Sequence, residues 1–201
     1  MQVDPRRAAV LALHWQVNVI EPEGFFGPML AEPVRRSGVV ARAAAFHRSA
    51  RAAGLPVHFT RFVVPEGEGQ LVRNTGFMEM VAGAQESFRP GSPGTELVAA
   101  MRELAEPGHV ADNQKLSGLA GTDLPDVLAA RGIDTVLLTG VATNLTVEQT
   151  ARHATDLGFT VHVVGDCVAA ATDEVHRASL ANLELVTRGV VTAADVLGAL
   201  G

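Results

Sequence analysis

Three stretches put reactive or hydrogen-bonding side chains where an apolar run stops. Ala8 to Leu13, AAVLAL, runs into His14, Trp15 and Gln16. His109 to Asp112 leads to Asn113 and Lys115, and Thr135 to Thr139 leads to Gly140-Val-Ala-Thr-Asn-Leu-Thr146. A histidine titrates near neutrality and can serve as acid or base. An asparagine or lysine can fix a carbonyl or an anion. The glycine-led turn opens a predicted helix whose first amide hydrogens lack intrahelical partners. Such amides can bind a carboxylate or stabilise an oxyanion; equally, Thr143 or Asn144 can serve there only as a helix cap.

These side chains meet only if the strands carrying them lie side by side, with their carboxyl ends together. Short, continuous apolar runs suit strands buried on both faces. Strands are expected at Ala8 to Leu13, Pro56 to Val64, His109 to Asp112, Thr135 to Thr139, Thr160 to Val164 and Val190-Val191. Helical spacing fills the intervals: Val34 to Ala53, Thr95 to Leu104, Leu124 to Arg131, Asn144 to Leu157, Asp173 to Leu185 and Ala194 to Leu200. Alternating strands and helices predict an α/β fold with a mostly parallel sheet between helices, in which ligands sit at the carboxyl ends of strands where the connection order switches. Pro65 to Pro93 lacks sustained periodicity and reads as a lid, an arm or a binding loop.

The chain has 201 residues, 47% of them hydrophobic, which fits one domain spanning residues 1–201. A formal charge of −6 and scattered arginines argue against a nucleic-acid surface and leave a small molecule as the expected ligand. No apolar run approaches the roughly 20 residues of a membrane span. The opening MQVDPRR lacks the apolar segment of a secretion signal, so a cytoplasmic location is expected. Cys167 is the one cysteine and reads as a small buried hydrophobe. His47, His58, His109, His153, His162 and His176 are dispersed without ligand spacing, so neither a metal nor another cofactor is expected. Of the 16 basic residues only Lys115 is lysine, which raises the interest of its place beside a strand end. Trp15 and Phe25-Phe26 could form an aromatic wall, or pack in the core; Arg61 and Asn74 are lesser pocket candidates.

Gly121 to His176 carries the segments GTDL, GVATNLTVEQTARHATDLGF and GDCVAA followed by DEVH. In order and spacing this resembles the isochorismatase-like hydrolases, the cysteine hydrolase superfamily that includes nicotinamidases. The resemblance implies a six-stranded Rossmann-like three-layer α/β/α sandwich and a homo-oligomer, dimer or tetramer. It also implies a site built from an Asp at the first strand end, a Lys at the third and a Cys nucleophile after GVAT. A non-proline cis peptide in that turn would fall between Val141 and Ala142, with substrate near Val141, Ala142, Asn144 and Leu145.

The match departs at each reactive position. Aligning LALHWQ with the family pattern LLVIDMQ puts His14 at the Asp and Gln16 at the family's Gln. GVATNLT puts Thr146 at the Cys, and counting back from GTDL puts Asn113 at the Lys, or Lys115 after a two-residue slip. A hydroxyl nucleophile needs a base within hydrogen-bond reach, and His14 is the candidate. The amides of Leu145 and Thr146 are candidate oxyanion donors. The expectation is a hydrolase of a small amide, ester or enol ether without a cysteine nucleophile, acting covalently through Thr146 or by acid and base chemistry at His14. The alternatives are a member that only binds a small molecule or partner, and one that performs a non-hydrolytic step.

Overall fold

In a computed structural model, which describes residues 3–200, the apolar runs form six strands. They are β1 Ala8–Leu13, β2 Val57–Phe62, β3 Val110–Asn113, β4 Thr135–Val141, β5 Thr160–Ala169 and β6 Val190–Val191. All pairings are parallel, in the order β3-β2-β1-β4-β5-β6. The order reverses at β1, which has β2 on one side and β4 on the other. The crevice beyond the ends of β1 and β4 is therefore the expected ligand position.

Nine α-helices surround the sheet: α1 Val17–Ile20, α2 Gly27–Ser37, α3 Val39–Ala52, α4 Gly76–Gly83, α5 Ala99–Arg102, α6 Leu124–Ala130, α7 Glu148–Asp156, α8 Asp173–Val186 and α9 Ala193–Gly198, counted among the described residues. Every residue of β1 is buried, and its side chains alternate between two apolar layers. Ala8, Val10 and Ala12 meet Val39, Phe46 and Ala50 of α3; Ala9, Leu11 and Leu13 meet Leu128 of α6 and Ala151 of α7. That double burial is why the strand reads as unbroken apolar sequence. No helix among the described residues is long and apolar enough to cross a membrane.

Four elements differ from the sequence expectation. The helix expected over Val34 to Ala53 is two helices, because Gly38 takes a φ of +67°, ending α2 and starting α3. The helix expected from Thr95 shrinks to α5 because Leu97 forms an antiparallel bridge with Gln16, and Val98 donates to the carbonyl of Trp15 at 3.0 Å. β5 runs on past Val164 to Ala169 through an irregularity in its pairing with β4. The stretch from Pro65 to Pro93 contains α4, whose Thr75 cap accepts from the Met78 amide at 3.1 Å. Its Met78, Val81 and Phe88 bury themselves with Phe62 and Val64 over the end of β2.

Two histidines are part of this core. His47 is buried beside Thr139, its Nε2 2.8 Å from the hydroxyl, and burial pushes its pKa down from 6.5 to about 3. Burial, with help from His109 and Arg131, pushes His58 down to about 4. As the pH falls below 6.5 the unfolded chain takes up protons that these native imidazoles refuse. Stability is thus greatest above that value and drains away toward the folded pKa values. Urea unfolding should give a free energy lower by about 2 kcal/mol or more near pH 5 than near pH 7; equal values would contradict this account.

Candidate active site

The chain turns sharply where β1 stops. His14 has a φ of +53°, a left-handed conformation uncommon for a residue with a side chain, and its amide donates to the Thr60 carbonyl at 3.1 Å. Beside it, Gly140 closes β4 at a φ of +142°, and a Cβ there would lie 2.4 Å from the Leu13 carbonyl oxygen. Only glycine lets the two strand ends approach this closely. Beyond Gly140 the Val141–Ala142 peptide is cis, at the position implied by the family resemblance.

The His14 ring is buried and bonds on one side to the end of β3, across β2, and on the other to the turn after β4. Its Nε2 lies 3.0 Å from Oδ1 of Asn113, the last residue of β3, and its Nδ1 lies 3.0 Å from Oγ1 of Thr146. Asn113 and Thr146 are buried as well. The direction of these bonds follows from the asparagine. Its Nδ2 donates to two carbonyl oxygens, of Lys115 at 2.7 Å and Ser117 at 3.0 Å. The amide nitrogen is thereby held away from the imidazole, and Oδ1, which can only accept, faces Nε2. Nε2 therefore carries the ring hydrogen, Nδ1 is left as an acceptor, and the Thr146 hydroxyl donates to it. Burial pushes the His14 pKa from 6.5 down to about 4, partly opposed by the bond to Asn113, so the ring is neutral at pH 7.

Thr146 sits in a π-helical turn, Thr143–Val147, that precedes α7. Neither Thr143 nor Asn144 caps it. The Thr143 hydroxyl is 2.9 Å from Nδ1 of His176, and Asn144 is exposed. The Leu145 amide donates to the Ala142 carbonyl at 3.2 Å, so it is already occupied as a donor.

A narrow cavity of about 40 Å³ opens on His14 and Thr146. Val141, Ala142 and Leu145 line it, the exposed Asn144 does not, and Lys115 lies at its edge. Lys115 is not the buried partner of the imidazole: it lies past the end of β3, and its ammonium donates to the Gln70 carbonyl in the long excursion. Five other candidates are corrected. Trp15, just past the left-handed turn at His14, packs in the core against His47. Gln16 is a strut: its Oε1 accepts from the Phe62 amide at 2.6 Å, and its Nε2 donates to the carbonyls of Phe62 at 3.1 Å and Thr95 at 3.0 Å. Phe25 packs edge-on against Phe26 and Phe88 outside the cavity wall. Arg61 is tied to Asp112 at 2.8 Å and Glu96 at 3.6 Å, and Asn74 lies in an outer cleft. Of the aromatic wall named from the sequence Phe26 does line this cavity, and sequence reasoning missed Phe62, Phe77 and Phe88, which converge on it. Phe77, Val81 and Phe88 come from the excursion, which thus forms one wall of the cavity.

Cys167 is buried in β5, where burial first and the Asp166 carboxylate second push its thiol up to about 12. It is not a nucleophile at neutral pH. Among the described residues no three His, Cys, Asp or Glu side chains gather closely enough to hold a metal ion.

Left-handed backbone at a residue with a Cβ costs roughly 1–2 kcal/mol. His14→Gly should therefore be more stable than His14→Ala by about 1 kcal/mol, read from paired urea unfolding curves; an alanine variant as stable as the glycine variant would contradict the strained turn.

The chain is similar to known proteins over nearly its whole length. The isochorismatase domain matches residues 8–195. The ureidoacrylate amidohydrolase RutB of Methylobacterium radiotolerans is 29% identical over 214 residues, covering 99% of this chain and 81% of that protein. The Escherichia coli O157:H7 isochorismatase family protein YecD is 41% identical over 80 residues, and the match spans 40% of this chain and 43% of the relative. A cysteine hydrolase structure from Pseudomonas syringae pv. phaseolicola superposes with a TM-score of 0.86 at 24% identity, covering 100% of this chain and 95% of that one. With its six-stranded parallel sheet and this domain match, the chain belongs to the isochorismatase family.

Proposed function

We propose that the chain is a hydrolase of a small amide or ester in which Thr146 is the nucleophile, His14 the base and Asn113 the group that orients it. One observation carries this reading: the unbroken chain from the Thr146 hydroxyl through the imidazole to an asparagine whose own direction is held by two carbonyls. The nucleophile, base and orienting group are in the order that hydroxyl and thiol acyl transfer require. An asparagine in the orienting role can select the wrong tautomer when its amide is free to turn. Here Lys115 and Ser117 occupy its nitrogen, which leaves the imidazole acceptor facing Thr146.

In this reading Thr146 Oγ1 attacks the substrate carbonyl carbon as its proton passes to His14 Nδ1. The imidazolium donates from Nε2 to Asn113, and the Thr146 amide is the candidate donor to the developing oxyanion. Collapse returns the proton to the leaving nitrogen or oxygen and leaves an ester on Thr146. His14 then takes a proton from water, which attacks that ester, and returns it to Oγ1 as the ester bond breaks, freeing the acid and the hydroxyl. The amidohydrolase named among the relatives supports acyl transfer as the chemistry class.

Thr146→Val keeps the shape of the side chain and removes the hydroxyl; it should lower kcat at least about a thousandfold, whereas Thr146→Ser should retain measurable turnover. Intact-mass analysis during turnover should find the acyl mass on Thr146. Wild-type rates in Thr146→Val would move the attack to a water activated by His14. Because neutral His14 is the active form and its pKa is pushed to about 4, activity is lost only as the pH falls through that value. kcat/KM should thus stay level from about pH 8 to about pH 5; a limb near 6.5 would contradict the assignment.

A further inference from the structure

Resting on the acyl-transfer reading, we infer that the substrate's acyl group is short and uncharged. The wall facing His14 and Thr146 is apolar, built chiefly by Phe26, Phe62, Phe77, Phe88, Val81 and Leu116. Among the described residues no arginine lines the cavity, although the chain holds 15 Arg among its 16 basic residues. The one cation at its edge, Lys115, is held at the rim by donating one of its three ammonium hydrogens to the Gln70 carbonyl, and its point charge offers a carboxylate no bidentate fork. The three polar side chains in contact with the cavity are thus a neutral imidazole, a hydroxyl and this tethered ammonium.

A carboxylate on the acyl chain would lose its water and find no bidentate partner, at a cost that short apolar contacts cannot offset. Size sets the second limit. The cavity beside the reacting groups is narrow, about 40 Å³. An acyl chain of a few carbons fits, its methylenes against the phenylalanine rings. Met29 stands on the same wall and is 44% exposed, so that wall is reachable from solvent.

Two nitrophenyl esters of equal chain length separate charge from size: the butyrate and the hemisuccinate. Wild type should favour the butyrate in kcat/KM by at least about a hundredfold. Met29→Arg, made at a half-exposed position where a charged side chain can stay solvated, should narrow that ratio at least about tenfold by offering the carboxylate a partner. Equal rates, a preference for the hemisuccinate, or a ratio unmoved by Met29→Arg would overturn the inference. Calorimetric binding of 2-hexanone against 4-oxopentanoate isolates it from catalysis. Tight binding of the neutral ketone alone, without turnover of either ester, would retain the uncharged pocket and reject the hydrolase. Turnover without discrimination would do the reverse, and failure of both ketones to bind would reject the pocket.

Discussion

The arrangement depends on two backbone carbonyls. Those of Lys115 and Ser117 take both hydrogens of the Asn113 amide, and so decide which end of that amide meets His14. Reverse the amide and the imidazole would present the opposite tautomer, leaving Thr146 with a donor where it needs an acceptor. The fold supplies the placement: β1 lies inside the sheet at the point of order reversal, so a ring at its end reaches β3 across β2 on one side and the turn after β4 on the other. Gly140 lets β4 close against Leu13, and the left-handed turn at His14 directs the ring out of the sheet.

Burial and charge tell the same story. Family resemblance implies an aspartate, a lysine and a cysteine in this crevice; here stand a histidine, an asparagine and a threonine. The ionisable pair has become a neutral pair, which suits a cavity walled by phenylalanine, where an unpaired charge would be costly. A buried imidazole held near a pKa of 4 and a hydroxyl in place of a thiolate make the site uncharged throughout, apart from Lys115 at its edge. The three replacements are thus physically coupled: a neutral base requires a nucleophile that can hold its own proton until attack.

Much of this was legible in the sequence, for reasons that also explain the gaps. β1 could be bounded at Ala8 and Leu13 because strands buried on both faces are continuously apolar. Gly38 hid inside a helical pattern because the Ala, Val and Arg spacing carries through it, and a single left-handed residue breaks a helix without disturbing that spacing. His14 was identifiable by its place at a strand end, and Thr146 by the resemblance of GVATNLT to the family pattern. Choosing between Asn113 and Lys115 was beyond sequence reasoning, because two residues on the same strand face differ only in where the strand stops. Trp15 and Gln16 looked like pocket residues by chemistry, yet one fills the core and the other ties three backbone groups together. Phe26 could be named as a wall residue, but Phe62, Phe77 and Phe88 were hidden because they come from separate segments.

The central claim is the protonation pattern of one ring, and nitrogen NMR of the His14 imidazole in the wild-type protein at neutral pH reads it directly. The account predicts a neutral ring with hydrogen on Nε2, slow to exchange, and a bare Nδ1 whose shift moves when Thr146 becomes valine. A hydrogen on Nδ1, or a doubly protonated ring, would contradict it.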